Sequence, residues 1–371
     1  MKVVQIVRRM EVGGAPQVAF LLHQAFCQRG HDAELWFMYL LQPTYAGKPG
    51  VDVLFKHKPS GTRYPLLPLR LLARLRDHRP DVVITHDNFS SVLGHVAGAM
   101  AGVRTRIAVH HLPVENNSLL SRNLDRCAGT FRLYTSQVAV SNAVVQSVSG
   151  YPNQYRRSVR CVHNGIELDS ESKALRGKYS GFLPSGPKIL HVGRLAPQKN
   201  HEALVNMMRS LPAASLVLVG DGELRDSIER RVKVLGLSER IHFMGELAPE
   251  EVRRVMHSCD LFVFPSLFEA MPLALLEAMA AGMPIVASDI PANRELLQDC
   301  GIVLSPDPAQ FAAAAVQLLS NRTLATGLGN KAARRAKQFT VDAMADGYER
   351  LFLSQKQPPP LSPELLTSIR G

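Results

Sequence analysis

The chain has 371 residues, 46% of them hydrophobic and 20% charged, which suits two globular domains and excludes an intrinsically disordered protein. Its five scattered cysteines include no C-x-x-C pair, which argues against a disulfide framework and against a zinc site. The net charge of +11 lies wholly in residues 1–180, and it would suit nucleic acid, an anionic lipid surface or a phosphorylated acceptor.

The first half alternates short β-branched runs with helical patterns, which is typical of parallel sheets built from βαβ units. Residues 1–10 lack the long apolar run of a signal peptide and predict a first strand instead. Helices are predicted at 15–29 and 65–78. The predicted strands cover residues 3–7, 33–37, 51–55, 82–85, 105–109 and 137–140.

A second series of strands follows a polar segment at 169–187 that reads as a linker. We therefore predict two doubly wound α/β domains, over residues 1–175 and 186–340. Residues 341–371 predict a helix that packs back on the first domain, followed by a proline-rich tail at 357–363. No apolar run of about 20 residues occurs, so the protein is expected in the cytoplasm. The second series comprises strands at 188–192, 215–219, 240–243, 261–264, 284–287 and 301–304, and helices at 201–209, 223–235, 273–281 and 308–319.

Glycines and cations follow the first strand of each series, at the edge where open α/β sheets bind their ligands. Gly13 and Gly14 allow a backbone to approach a phosphate, although a lone Gly-Gly also suits a plain tight turn. Arg194 and Lys199 suit a diphosphate, and ordinary surface cations are the alternative.

The segment 265–284 carries two glutamates, Glu269 in a loop and Glu277 within an otherwise apolar helix. An ionised carboxylate at Glu277 is costly without a partner, which favours a ligand hydroxyl or a structural cation. Glu269 either contacts the ligand or stabilises the N-terminus of the helix.

Three histidines, His86, His110 and His111, end strands of the first half. Each is either structural or a donor to a substrate hydroxyl or phosphate. No D-x-D pair, P-loop or G-x-S-x-G elbow is present, so neither a metal site nor those chemistries are predicted. Nothing indicates readout of nucleic acid.

Motifs in both halves match one family pattern: Gly13-Gly14-Ala15, Val140-Ser141-Asn142, Asn164-Gly165-Ile166, Val192-Gly-Arg-Leu with Lys199-Asn200, Gly220-Asp-Gly-Glu-Leu, Glu269 with Glu277, and Val286-Ala-Ser-Asp289. Together they resemble glycosyltransferase family 4. The resemblance implies the α/β GT-B fold, in which two Rossmann-like doubly wound domains face a central cleft. It also implies a nucleotide-sugar donor, no cofactor and no metal.

The resemblance implies a role for each matching residue. Arg194 and Lys199 would hold the donor diphosphate, Glu269 the donor sugar and Glu277 the ribose. His110 falls where the family has a histidine near the transferred sugar, and Ala270 replaces the usual glycine, which leaves the donor sugar open. The implied donor site comprises Gly14, Arg194, Lys199, Glu269, Ala270, Met271, Pro272, Leu273 and Glu277, with Gly13, His86 and His111 on the acceptor side.

We therefore expect a retaining, metal-independent hexosyltransferase that uses a UDP- or GDP-linked sugar. Its acceptor would be a glycan, a lipid-linked group or another hydroxyl, in bacterial surface polysaccharide or glycoconjugate biosynthesis. The alternatives are another GT-B-like nucleotide-sugar enzyme, such as an epimerase, and a non-catalytic sugar-nucleotide-binding protein.

Basic residues around the helix at 65–78 alternate with leucines, which predicts reversible docking on the anionic inner face of a membrane. An ordinary packed helix with a solvated basic face is the alternative. The basic residues are Arg63, Arg70, Arg74, Arg76 and Arg79.

Overall fold

The computed structural model describes residues 1–60, 66–168 and 183–354. The first half of the chain is built around a sheet of seven parallel strands. The spatial order is β3-β2-β1-β4-β5-β6-β7, so the order reverses between β1 and β4. These strands are β1 (Lys2–Met10), β2 (Asp32–Leu40), β3 (Val51–Phe55), β4 (Val82–Thr85), β5 (Thr105–His110), β6 (Ser136–Ala139) and β7 (Val159–Cys161).

Helices connect these strands and cover both faces of the sheet, as parallel βαβ units require. The six helices of this half that lie in the described residues are α1 (Gly14–Gln28), α2 (Leu66–His78), α3 (Asn88–Met100), α4 (Leu119–Thr130), α5 (Asn142–Ser147) and α6 (Asn153–Arg157).

The second half repeats the plan with six parallel strands in the order β10-β9-β8-β11-β12-β13. Its strands are β8 (Lys188–Val192), β9 (Ser215–Val219), β10 (Ile241–Gly245), β11 (Leu261–Phe264), β12 (Ile285–Ser288) and β13 (Ile302–Leu304). Its helices are α7 (His201–Met207), α8 (Arg225–Val234), α9 (Pro249–Ser258), α10 (Leu273–Ala280), α11 (Pro291–Leu297), α12 (Pro308–Ser320), α13 (Arg322–Ala336) and α14 (Val341–Ser354).

The strand order of both sheets is that of the dinucleotide-binding Rossmann fold, and it confirms the predicted fold class. Strand β11 shows why the sequence folds this way, since all four of its residues are buried. Phe262 and Phe264 pack in one apolar layer and Leu261 and Val263 in the other, as the two-residue period of a strand requires.

The chain passes between the two halves at two adjacent places. Ile166 donates its amide to Phe339 O at 3.0 Å and accepts from the amide of Val341 at 3.1 Å. Gly165 fits this crossing because a Cβ there would lie 2.2 Å from Thr340 O. The two passages are thus hydrogen-bonded to each other.

Helix α14 follows the second passage and lies against α1 of the first half. The guanidinium of Arg29 donates to Asp346 at 2.5 Å and to Glu349 at 2.9 Å, and the rings of Phe26 and Phe352 lie 5.4 Å apart. The last helix is therefore packed on the first domain by an ion cluster and an aromatic contact. No helix among the described residues has both the length and the apolar character needed to cross a membrane.

Element boundaries differ from the predictions where local geometry intervenes. The predicted helix at 201–209 ends at Met207 and continues as a 3-10 turn, and the one at 223–235 begins only at Arg225, after a turn. Helices were expected between the strands of the first half, but α3 to α6 were not given bounds, and β7, which has only three residues, was not predicted. Arg63, most of the predicted linker at 169–187 and the tail at 357–363 lie outside the described residues.

Candidate active site

The loops after β8 and β11 meet at the switch point of the second sheet, where the strand order reverses. There the ammonium of Lys199 lies 2.5 Å from Oε1 of Glu269, and both side chains are largely buried, at 15% and 8% exposed. The same ammonium lies 4.9 Å from the ring centroid of Phe264. The two predicted residues are thus brought together as an ion pair beside an aromatic face.

Hydrogen bonds between the two loops hold this pair in place. Gln198 donates its side-chain amide to Phe268 O at 2.8 Å and accepts the amide of Leu267 on its carbonyl, also at 2.8 Å. Asn200 takes up a left-handed conformation (φ 52°) and its amide group donates to Pro265 O. These bonds fix Lys199 relative to Glu269, because each loop carries one of the two residues.

The turn at Gly220, Asp221 and Gly222 packs against the loop that carries Arg194. Gly220 has φ 126°, and a Cβ there would lie 2.2 Å from Gly193 O. The amide of Leu195 donates to Asp221 O, and the amide of Leu224 donates back to Leu195 O, both at 2.9 Å. The Gly-Asp-Gly motif therefore shapes the cation loop, a supporting role that the sequence interpretation did not assign.

Arg194 is exposed on this loop, and no ion pair or hydrogen bond to any described residue holds its guanidinium. Lys199 is fixed by Glu269, whereas Arg194 is available to an anion from solvent. Together they place one fixed and one available cation at the end of β8, which suits a diphosphate group.

Glu277 lies on α10, and its Oε1 accepts a hydrogen bond from Gln17 of α1 at 3.4 Å. Burial raises the pKa of Glu277 to about 7, although Arg253 and Gln17 act in the opposite direction. The carboxylate is therefore costly to ionise in this state, and donors from a ligand would stabilise it. Gln17 is a site residue that no sequence pattern indicates, because its contact with Glu277 spans 260 residues.

Gly13 and Gly14 lie one turn before Gln17, at the start of α1. Because Gln17 contacts Glu277, the glycine turn of the first half lies close to Glu277 of the second half. A Cβ on Gly14 would meet no atom of the described residues within 4 Å. Packing does not require a glycine there, and the open space is compatible with a ligand.

The segment between Glu269 and Glu277 is tightly packed. Ala270, Met271 and Leu273 are at most 6% exposed, and Pro272 is also buried. Asn164 donates its side-chain amide to Met271 O at 3.2 Å, which ties this turn to the first half. We expect Ala270, Met271 and Leu273 to meet a ligand through the backbone amides that lead into α10, because their side chains are committed to packing, whereas Pro272 has no amide hydrogen to donate.

The three histidines separate into two groups. His86, which is fully buried, donates from Nε2 to Gln5 Oε1 at 2.8 Å, and its Nδ1 lies 3.2 Å from Nε2 of the half-buried His111. Burial holds the pKa of His111 to about 3 and that of His86 well below its usual value, so both rings are neutral at pH 7. This pair lies beyond the ends of β4 and β5, the edge predicted for the acceptor.

His110 points elsewhere, into the protein. It is 4% exposed, and its Nε2 lies 3.0 Å from Gln137 Oε1 and 3.4 Å from the hydroxyl of Tyr155. No hydrogen bond to a described residue engages its Nδ1. A contact between His110 and a donor sugar stays a prediction, and only Nδ1 is available for it.

Comparisons with known proteins agree with this geometry. A family model described as "Glycosyltransferase Family 4" matches residues 12–170, and one described as "Glycosyl transferases group 1" matches residues 186–321. The first match spans β2 to β7 of the first sheet and the second spans all six strands of the second sheet, and together they cover most of the chain.

Curated relatives are glycosyltransferases at modest identity. The chain is 28% identical over 253 residues to "UDP-Gal:alpha-D-GlcNAc-diphosphoundecaprenol alpha-1,3-galactosyltransferase" of Escherichia coli, covering 62% of this chain and 63% of that one. It is 26% identical over 369 residues to "N-acetyl-alpha-D-glucosaminyl L-malate synthase" of Bacillus anthracis, covering 92% and 94%. The first curated relatives are matched over only 44% to 66% of their own length.

A solved structure of HepE from Anabaena in complex with UDP-glucose has the same fold. It superposes with a TM-score of 0.82 at 20% identity, covering 95% of this chain and all of that one. Three findings point to the same family: the two consecutive family matches, the paired Rossmann sheets, and the two glutamates Glu269 and Glu277. The chain belongs to the GT-B glycosyltransferases of the family 4 type.

Proposed function

We propose that this glycosyltransferase moves a hexose-type sugar, with retention of configuration, from a UDP- or GDP-linked donor to a lipid-linked or glycan hydroxyl in bacterial surface polysaccharide assembly. The observation that carries the proposal is the Lys199–Glu269 pair, which lies with Arg194 at the switch point of the second sheet. UDP-glucose in the complex of HepE supports a nucleotide-sugar donor.

The electrostatics of the loop suit departure of a nucleoside diphosphate. As the bond from the sugar C1 to the phosphate oxygen breaks, negative charge grows on the leaving phosphate, where Arg194 and Lys199 stabilise it. Lys199 has three donors, so it can keep its bond to Glu269 while it binds the phosphate. Glu269 accepts from hydroxyls of the donor sugar and Glu277 from the ribose.

Retention requires the acceptor oxygen to bond to C1 on the face that the phosphate leaves. We propose that the leaving phosphate oxygen takes the acceptor's proton, so that no protein base is needed. His110 would orient the sugar through Nδ1. An epimerase or a non-catalytic binding protein would use the same donor contacts, but neither would release nucleoside diphosphate in step with glycosylation of an acceptor.

The donor is identified by thermal unfolding with UDP-, GDP-, ADP- and TDP-sugars. A ligand at roughly 100 times its dissociation constant stabilises the fold by about 2.7 kcal/mol. We expect UDP- or GDP-sugars to raise the melting temperature of the protein. If neither UDP- nor GDP-sugars raise the melting temperature, the proposed donor class is wrong.

Turnover should survive EDTA, because two cations and no D-x-D pair are available to the diphosphate. The measurement is the initial rate of sugar transfer before and after EDTA treatment, with Mg²⁺ and Mn²⁺ added back. Loss of activity in EDTA that either metal restores would overturn the proposed role of Arg194 and Lys199.

The packing of α2 supports the ordinary packed helix, the alternative to membrane docking at residues 65–78, and docking through α2 stays a prediction. Leu67, Leu71 and Leu75 are buried, and Arg74 stacks over Trp36 and pairs with Asp52. The helix at 66–78 therefore packs as an ordinary element of the domain, and part of its basic face is committed to neighbouring side chains.

Helix α4 presents the opposite arrangement, with large apolar side chains directed to solvent. Leu120, Leu124 and Phe131 are 70%, 47% and 83% exposed, and their spacing places them on one face. Asp125 and Gly129 on another face are buried. Adjacent Leu119 is also exposed, as are the flanking cations Arg126 and Arg132.

We propose that this α4 stripe (Leu119, Leu120, Leu124 and Phe131) docks on an anionic lipid bilayer. Apolar side chains flanked by arginines suit the interface, and the whole charge excess lies in the same half of the chain. Ser121 of α4 accepts from Asn88 at 3.1 Å, so the stripe begins beside the edge that holds His86 and His111. A lipid-linked acceptor would reach that edge directly from the bilayer.

Vesicle co-sedimentation tests the α4 stripe. Changing Leu120, Leu124 and Phe131 to Ser should weaken binding to anionic vesicles by at least about tenfold, and binding should fade as salt rises. Changing Arg70, Arg74 and Arg76 to Gln should weaken it less. Val234→Ser with Val316→Ser, both exposed in the second half, is the matched control. Binding to neither kind of vesicle at low salt would favour a soluble acceptor instead, such as the malate named for the Bacillus anthracis relative, and equal binding to both would overturn the role of anionic lipid.

A further inference from the structure

Three metal-ligating side chains from the two halves converge beside the passage between them. Cys161 ends β7, His163 follows it, and Glu295 lies on α11 of the second half. One ligand atom of each lies within 4.8 Å of the others. His163 Nε2 is 2.7 Å from Glu295 Oε1 and 3.7 Å from Cys161 Sγ. Thiolate, imidazole and carboxylate are the ligand types that Zn²⁺ takes in proteins.

We propose that Cys161, His163 and Glu295 form a binding site for Zn²⁺ that links the two halves of the enzyme. Tetrahedral Zn–S and Zn–N distances place the ligand atoms roughly 3.4 to 3.7 Å apart. The sulfur–nitrogen separation of 3.7 Å lies at the upper end of this range, and the nitrogen–oxygen separation of 2.7 Å has to open by about 0.7 Å to reach its lower end. Zn²⁺ then takes the place of the proton between His163 and Glu295.

The surroundings of the three residues are those of a supported site. Glu295 Oε1 accepts from the backbone and side-chain amides of Asn142, at 3.0 and 2.8 Å, and its Oε2 accepts from the amide of Ala143. The ring of His163 lies edge-on to Phe339, at 5.4 Å between centroids. Hydrogen-bonded carboxylates and a fixed imidazole are what the second shell of a metal site provides.

Access and charge also suit a metal ion. Cys161 is exposed, so Zn²⁺ can enter from solvent and keep a fourth position for water. The thiolate and the carboxylate together balance its two positive charges. The sequence did not predict this site, because Cys-x-His is a single pair and Glu295 lies 132 residues farther along the chain.

A metal shared by the two halves would hold them in one relative position. Transfer in a two-domain cleft requires the halves to close over substrates and open to release products. Bound Zn²⁺ is therefore expected to inhibit turnover, an effect that rests on the proposed function. Binding itself does not depend on that function and is measured separately.

The test uses the full chain, reduced and stripped with EDTA, then titrated with ZnCl₂ in a calorimeter. We expect one Zn²⁺ per chain, and at least about tenfold weaker binding in Cys161→Ser and in His163→Gln, since even an outer-shell partner contributes that much. Co²⁺ should give a thiolate-to-cobalt absorption band that Cys161→Ser abolishes. Cys127→Ser, which removes another exposed thiol, is the matched control.

Unchanged zinc affinity in Cys161→Ser, or a cobalt band that persists in it, would overturn the site. Because Cys161 is exposed, its replacement does not endanger the fold, and unchanged melting of the metal-free variant checks this. In activity assays Zn²⁺ should inhibit the wild type and leave Cys161→Ser active. Equal inhibition of the wild type and Cys161→Ser would overturn the link between this site and turnover. If the chain proves inactive with every donor, so that the proposed function fails, Zn²⁺ should still bind at this site.

Discussion

Arg194→Ala and Lys199→Ala should each lower the rate of sugar transfer by at least about 100-fold, the scale of losing one preorganised stabiliser of developing charge. The physical reason is the placement of both cations on the short loop after β8, where a leaving diphosphate would gather charge. Steady-state kinetics with the donor found by thermal unfolding provides the measurement. The loss should be in kcat more than in KM.

The two variants differ in their effect on the fold, and this difference provides the control. Lys199→Ala leaves Glu269, 8% exposed, without its ion-pair partner, so the melting temperature should also fall. Arg194 is exposed and makes no such pair, so Arg194→Ala should melt like the wild type. Arg209→Ala and Lys233→Ala remove exposed cations elsewhere and should be neutral. An Arg194→Ala enzyme with near-native rate would remove the diphosphate assignment.

The strand–helix alternation and the position of this loop were predictable, because both depend on local patterns. The apolar run of β8 and the following Gly-Arg-Leu give the strand, the turn and the cation in sequence order. The contact between Lys199 and Glu269 was not predictable from spacing alone, because it arises only when β8 and β11 become neighbours in the sheet. The family resemblance placed both residues in one donor site, but it gave them separate roles and did not predict that they pair.

Glu277→Gln should weaken nucleotide binding by about 10- to 100-fold, the range expected when hydrogen bonds to a charged acceptor are lost. At the same time it should stabilise the ligand-free protein at alkaline pH. Burial raises the pKa of Glu277 from 4.5 to about 7, so between these values the folded state binds a proton that the unfolded chain does not. Stability from this residue is therefore lost as pH rises through that window.

The difference between the two pKa values corresponds to a gain in the free energy of unfolding of at most roughly 3 kcal/mol for Glu277→Gln at pH 8. The cost of burying the glutamine amide offsets part of this gain. Thermal unfolding at pH 4.5 and pH 8, without and with nucleotide, separates the two effects. Glu239→Gln, at an exposed position of the same half, is the control. If the variant instead melts lower at pH 8 and binds nucleotide normally, Glu277 is a structural residue.

The histidines show where sequence reasoning stops. His110 and His111 are adjacent at a strand end, and no pattern distinguishes the one that faces the edge of the sheet. The structure separates them because successive residues at the end of β5 point to different sides: His110 toward Gln137 and Tyr155, and His111 toward His86. Side-chain direction at the last residue of a strand depends on where the strand ends, the least certain part of a prediction.

The packing of α14 on α1 determines where the chain can be cut to exchange domains between related enzymes. A donor half exchanged between relatives has to be cut twice, within residues 169–182 and again at Thr340, where the second passage returns. A single cut in the first of these places would carry α14 away with the foreign half. It would separate Arg29 from its three carboxylates and Phe26 from Phe352. Grafts that keep α14 with its own first domain should fold, because the recipient then retains every element of that core.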